Sequence, residues 1–347
     1  MMNLNNEKIL ITGGSGYIAS WIAFKLAKRG CHVSLTSRRL DDPRCMLLES
    51  KVQPLEGTVQ FFQADLLDKD SLRKPIMDST LIFHTASPFK SKINSAYKDL
   101  ILPALEGTKN VLNLAKENPN LKRIVLTSSV AAVLGDNQDL KNYPNQIADE
   151  SCWNETSSEI HNPYSYSKTL AEKAAWEIFK SQNQWSMVTI NPSFVIGPSI
   201  THHPDAESFQ VMKQYLSGAF LLGVPEIYIG AVDVRDVADA HISAMENLSA
   251  EGRHITSAKD TGFKEIGIHL KKKFPKKVKF SPRKVPKIFI ALSGRFISKL
   301  LTYKFIMNNV GYVWRTKNDK SIKSLGIKYR DILQSSEEMI EQIIQKN

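Results

Sequence analysis

The chain has 347 residues, of which 42% are hydrophobic and 23% charged, with a formal net charge of +11. That length and balance support a full buried core and exclude collagenous, low-complexity and disordered classes. Cys31, Cys45 and Cys152 are unevenly spaced and form no C-x-x-C pair, which argues against a disulfide framework or a zinc site and for a reduced, cytoplasmic chain. No apolar run approaches the ~18 residues of a membrane span, and the polar start "MMNLNNEK" does not read as a signal peptide.

The charge is uneven. Residues 251–347 carry 22 Lys and Arg against 8 Asp and Glu, a net of +14, whereas residues 1–250 carry −3. The densest run, "KKKFPKKVKFSPRKVPK" (271–287), reads as a solvated lysine-rich face. No nucleic-acid motif accompanies it, so neither nucleic-acid binding nor membrane association is expected.

In chain order, short apolar runs predict strands at 8–14, 32–38, 59–65, 81–87, 123–129 and 186–193, with amphipathic helices over 16–29, about 68–77, 97–117 and 164–182. Alternation of this kind predicts an α/β fold, a Rossmann-type doubly wound parallel sheet whose ligands sit beyond the carboxyl ends of the strands. After about 195 the pattern becomes irregular. It returns to strand and helix at 227–247, with a short strand at 253–258, and 259–347 reads as mostly helical. The expected division is a nucleotide-binding domain over 1–194 plus 227–258. The remainder, 195–226 and 259–347, is expected to form a smaller substrate lobe.

"ITGGSGYIASWIAFKLAKRG" (11–30) is a strand, a glycine turn and a helix. Gly13 permits a tight turn, Gly16 lets backbone approach a pyrophosphate, and Ala19 allows close helix packing. The amides that follow, at Tyr17 and Ile18, open a helix whose free N–H groups suit phosphate. At the end of the second strand stand Arg38 and Arg39, with Arg44 behind them, where an NAD site has an acid. Guanidinium groups there favour a 2′-phosphate, hence NADP(H). Asp65, followed by Leu66, ends the third strand. It could meet the adenine amino group or simply cap the next helix.

"NPYSYSK" (162–168) holds two tyrosines. Tyr164 and Lys168 are four apart and share a helix face, while Tyr166 points roughly 200° away. A buried ammonium beside a phenol, with an oxidised nicotinamide, would bring its pKa toward the working range. Ser129 or Ser128, at the end of a buried strand, could orient a carbonyl in the same crevice.

Together these motifs resemble the extended short-chain dehydrogenase/reductase pattern, and more closely its dihydroflavonol reductase and cinnamoyl-CoA reductase branch. The resemblance rests also on "FHTASP" (83–88), "PALEGTKNVL" (103–112), "DESCW" (149–153), "NPSFVIGP" (191–198) and "VDVRDVADAH" (232–241), and the tail at 308–330 looks like bacterial members. It covers nearly the whole chain. It implies NADPH-dependent reduction of an aldehyde or ketone, with Tyr164 as general acid, Lys168 on the nicotinamide ribose and Ser129 on the substrate carbonyl. Arg38 and Arg44 match the family's phosphate motif with Arg in place of Lys. Thr85, Ala86, Ser87, Pro192 and Val195 match stretches that line the cofactor. "NPYSYSK" stands where cinnamoyl-CoA reductases carry "NWYCYGK", and Leu134 stands where plant dihydroflavonol reductases place Asn or Asp. A dedicated cinnamoyl-CoA or flavonoid enzyme is therefore not expected.

Two other readings remain open from the sequence. One is a 3β-hydroxysteroid dehydrogenase or sugar-nucleotide epimerase of the same superfamily; the other is a non-catalytic NADP-sensing protein. A monomer or homodimer is expected. The apolar segment 287–306 is read as packing in the C-terminal lobe, and His202, His203 and His241 as too scattered for a metal.

Overall fold

The computed structural model describes residues 2–87, 94–204, 206–291 and 302–346. Among these, ten strands occur in chain order: β1 (Ile9–Thr12), β2 (His32–Ser37), β3 (Thr58–Gln63), β4 (Leu81–His84), β5 (Arg123–Thr127), β6 (Ser186–Pro192), β7 (Phe194–Ile196), β8 (Tyr228–Asp233), β9 (Gly252–Thr256) and β10 (Lys259–Gly262). Seven form one sheet in the order β3-β2-β1-β4-β5-β6-β9, every pair parallel. The order reverses between β1 and β4, and the crevice beyond their carboxyl ends is where such sheets bind ligands.

The apolar runs explain the layers. β1, β4 and β5 are buried along their whole length. Ile9, Ile11, Leu35 and Phe83 join one core cluster, while Leu10, Ile82, Ile124 and Leu126 join another on the opposite face. β3, at the sheet edge, alternates exposed and half-buried residues instead.

The helices are α1 (Tyr17–Ala27), α2 (Pro43–Val52), α3 (Lys69–Met77), α4 (Leu102–Glu117), α5 (Pro163–Lys180), α6 (Glu207–Ser217), α7 (Val234–Glu246), α8 (Phe263–Lys273), α9 (Tyr303–Asn309), α10 (Asp319–Leu325) and α11 (Ile332–Lys346). α1, α2 and α7 cover the first face of the sheet, and α3, α4 and α5 the second.

Two features differ from the sequence reading. α2 was not foreseen, although Asp42 caps it by accepting from Arg44 N–H and Pro43 follows at the first helical position. The strand at 228–233 does not rejoin the main sheet. After Pro192, which offers no backbone donor, β7 leaves the main layer and pairs with β8. β10 completes this separate three-stranded sheet. α7 and β9 do return to the main layer.

The second lobe has its own core, in which Ile196, Phe209, Met212 and Tyr215 meet Ile266, Phe280 and Ile340. The lysines at 272, 273, 276, 277 and 279 are exposed. Half of the apolar segment 287–306 (292–301) lies outside the described residues. At its described ends Ile290, Ala291 and Ile306 pack with Val310. Among the described residues no helix is long and apolar enough to cross a membrane.

Candidate active site

A cleft of about 1230 Å³ runs along the carboxyl edge of the main sheet and is closed on one side by the second lobe. It exceeds the usual ~300–1,000 Å³ of a small-molecule pocket. It has two ends.

At the first end, Gly13 adopts φ +68°, and a Cβ there would stand 2.9 Å from Ala86 Cα. Glycine is thus required both by the backbone and by the close approach of the β4 end. Gly14 N–H donates to Thr36 O (2.8 Å) and Gly13 N–H to Thr36 Oγ1 (3.1 Å), fixing the turn on β2. Gly16 begins α1 without a side-chain cap, which leaves the first-turn amides at Tyr17 and Ile18 for a ligand. Tyr17 also lines the cleft, but its hydroxyl is committed to Gly197 O at 2.5 Å.

The three arginines are not equivalent. Arg44 grips Asp42, with Nε 3.0 Å from Oδ1 and a second guanidinium nitrogen 2.5 Å from Oδ2. This pairing holds the Asp42 carboxyl below its usual range. Arg39 lies 3.4 Å from Asp41. Arg38 is exposed and makes no ion pair or side-chain hydrogen bond among the described residues.

Asp65 and Leu66 line the same end. The reading of Asp65 as a helix cap does not hold, because Asp68 caps α3 and Asp65 accepts from Leu67 N–H at 2.9 Å. Thr85, Ala86 and Ser87 form the floor, pinned by Thr85 Oγ1 donating to Thr12 O (2.6 Å) and Ala86 N–H to Thr12 Oγ1 (3.2 Å).

At the second end, Asn162 takes a left-handed conformation (φ 54°) and Pro163 opens α5, so that Tyr164 and Lys168 face the cleft one turn apart. Asn is among the few residues that tolerate this backbone. The half-buried Tyr166 stands outside the cleft lining. The helix start is anchored by buried Asp136, which accepts from Asn162 Nδ2 (2.8 Å), His161 Nε2 (2.6 Å) and the side-chain amides of Asn308 and Asn309 (both 2.7 Å).

The two serines separate cleanly. Ser128 Oγ points inward and donates to Glu172 at 2.5 Å. Ser129 Oγ accepts from Ala131 N–H and is hydrogen-bonded to the Tyr164 phenol. Both serines border the cleft, but only Ser129 sits beside the Tyr164 phenol. Beneath it Glu172 is the centre of a buried network, receiving Asn191 Nδ2 (2.8 Å) and Arg253 Nε (2.6 Å). Arg253 in turn stacks over Trp153, 4.0 Å from the ring centroid.

Burial dominates the electrostatics. It raises the Tyr164 phenol well above its ordinary value; the charge of Glu207 adds to this, and the Ser129 hydrogen bond opposes it. The sequence reading expected the phenol to be lowered by Lys168 together with an oxidised nicotinamide. In the protein alone burial leads, and Tyr164 carries its proton at neutral pH. Burial likewise pushes Lys168 down to about 8, opposed by the nearby Glu172 carboxylate. Among the described residues no protein group accepts a hydrogen bond from Lys168.

Pro192 and Val195 complete the wall near this end, joined by Leu134, Phe194, Ile227, Phe305 and Trp314. All seventeen sequence-predicted site residues thus border one cleft. Sequence reasoning missed the Glu172–Arg253 network, Glu207, and the contributions of Phe305 and Trp314, which come from distant segments without a local signature.

A Rossmann sheet, a glycine turn at its switch point and a Ser-Tyr-Lys set on one cleft define a nucleotide-dependent short-chain dehydrogenase/reductase architecture. The family model described as "NAD dependent epimerase/dehydratase family" matches residues 9–256. The chain belongs to that family, in the branch that holds the cinnamoyl-CoA and anthocyanidin reductases. It is 38% identical to cinnamoyl-CoA reductase CAD2 of Medicago truncatula over 79% of this chain and 82% of that protein. It is 31% identical to tetraketide alpha-pyrone reductase 1 of Arabidopsis thaliana over 99% and 98%. Among solved structures it is similar to yeast methylglyoxal/isovaleraldehyde reductase complexed with NADPH, with a TM-score of 0.79, 25% identity and 98% of each chain covered.

Proposed function

We propose that this chain is an NADPH-dependent reductase that converts an aldehyde or ketone to an alcohol. The observation that carries the reading is the placement of Tyr164 beside Ser129, with Lys168 one turn behind it, on the cleft that begins at the glycine turn. The reductase names of the relatives and the NADPH of the yeast structure support it.

The residues fit the cofactor. The first-turn amides of α1 and the close approach allowed by Gly13 suit a pyrophosphate. Arg38, unpaired among the described residues, suits the 2′-phosphate, and the Lys168 ammonium, to which none of them accepts, suits ribose hydroxyls. When bound, NADPH supplies the hydride.

The protein's part is positioning and proton delivery. Ser129 and Tyr164 hold the carbonyl oxygen between two hydroxyl groups. Tyr164 gives its proton to that oxygen as it gains negative charge. Lys168, charged below about pH 8, favours the phenolate that is left. The Glu172 network keeps Ser128 turned inward, which fixes the strand end that presents Ser129.

The test is a panel of aromatic and aliphatic aldehydes and ketones followed by NADPH absorbance. Substrate-dependent oxidation of NADPH, with little or none for NADH, is the expected result. Binding of NADPH without turnover across a broad panel would overturn the reading and favour a cofactor-sensing protein.

A further inference from the structure

The substrate end of the cleft is walled by apolar and aromatic side chains, including Leu134, Phe194, Ile227, Phe305 and Trp314. One carboxylate stands among them. Glu207, the first residue of α6, lines the same cleft and acts electrostatically on Tyr164. The other acids on the cleft are accounted for elsewhere: Asp42 holds Arg44, Asp65 receives Leu67 N–H, and Asp99 accepts from the amides of Asn94 and Ser95.

Glu207 differs from them. Among the described residues no cation pairs with it and no group donates a hydrogen bond to it. It is open to the cleft rather than sealed in the core, yet the walls crowd it enough to raise its carboxyl above the ordinary value. A carboxylate with no partner among the described residues, facing a mostly apolar cavity, gains from a donor or cation and is penalised by a second anion.

Its position is fixed by packing. Phe209, two residues on, meets the Tyr17 ring edge-on with centroids 5.5 Å apart. His203 lies 5.7 Å from the same ring and is hydrogen-bonded to Thr201 Oγ1 at 2.7 Å. The start of α6 is thereby tied to α1, the helix that opens at the glycine turn. Glu207 is held relative to the cofactor end of the cleft by the same contacts.

We infer that Glu207 is a specificity-determining residue, selecting carbonyl substrates that carry a hydroxyl or protonated amine beside an otherwise apolar body and rejecting those that carry a carboxylate. This rests on the reductase reading above. Specificity of this kind has an attractive and a repulsive part, and one unpaired carboxylate supplies both.

The experiment uses the full chain with NADPH and benzaldehydes bearing methyl, hydroxymethyl, dimethylaminomethyl or carboxyl at the meta or para position. The kcat/KM on the methyl compound normalises each variant, and thermal melting checks folding. Wild type should prefer the protonated amine over the carboxylate. In Glu207→Gln that ratio should fall about tenfold or more, the size of a charge-assisted hydrogen bond. Glu207→Lys should invert the order. Turnover with the same ratio in wild type and both variants would overturn the inference and leave the reductase reading standing. No turnover with any of the aldehydes, while NADPH binds, would overturn both.

Discussion

The two ends of the cleft are built on opposite physical plans. At the reacting end Tyr164 and Lys168 are desolvated, Ser128 is locked to Glu172, and a buried Glu172–Arg253 pair lies directly beneath. At the phosphate end Arg38 and Arg39 are exposed, and Arg44 is held by a neighbouring acid. The reacting end sets proton affinities through burial. The phosphate end works by charge in water, where single contacts are weaker and more easily exchanged. Chemistry should therefore be sensitive to small changes at the first end, and cofactor choice should be tunable at the second.

The largest effect is expected at Tyr164. Tyr164→Phe should lower kcat by about 10²- to 10⁴-fold, the usual contribution of a positioned acid, with NADPH affinity measured by fluorescence within a few-fold of wild type. Equal losses of kcat and of NADPH binding would mean that the residue is structural. Next is the network beneath. Glu172→Ala leaves the Arg253 guanidinium buried without its partner, which should destabilise the fold by about 3–5 kcal/mol, read as a lower midpoint in urea. A change near zero would show that the network is not what secures this end.

At the other end Arg38→Gln should raise KM for NADPH by about 10- to 100-fold, the range of one charged hydrogen bond, and leave KM for NADH nearly unchanged. Arg39→Gln should do less. If Arg39 or Arg44 proves the larger, the pairing with Asp41 and Asp42 breaks when cofactor binds.

The smallest effect is a pH dependence. Lys168 sits at about 8 because burial disfavours its charge. The charged form is present below that value, so reductase activity should hold from pH 6 to 7.5 and fall as pH rises through about 8. Lys168→Met should be slower throughout and lose this limb.

The same contrast governs what the sequence could tell. Gly13, Gly16, Ser129, Tyr164 and Lys168 were legible because each depends on local geometry: a turn, a strand end, a helix spacing. α2 was legible too, since Asp42 and Pro43 form a standard helix start. Spacing alone leaves Ser128 and Ser129 open and the family resemblance selects Ser129; the Glu172 network supplies the physical reason by holding Ser128. Glu172 and Arg253 are 81 residues apart, and no spacing rule joins them. Glu207 lay in a stretch without periodicity, and its meaning comes from the walls around it. The raised phenol of Tyr164 in the protein alone has no sequence signature either, since desolvation depends on what the whole fold places over a residue.

The central claim is hydride delivery to a carbonyl carbon with the proton from Tyr164. It is tested most directly by incubating the protein with NADPH deuterated at the transferred position of the nicotinamide and a reducible aldehyde, then examining the alcohol by mass spectrometry. The account predicts one deuterium at the carbinol carbon for wild type and almost no labelled alcohol for Tyr164→Phe. Labelled alcohol formed at the same rate by Tyr164→Phe would contradict it.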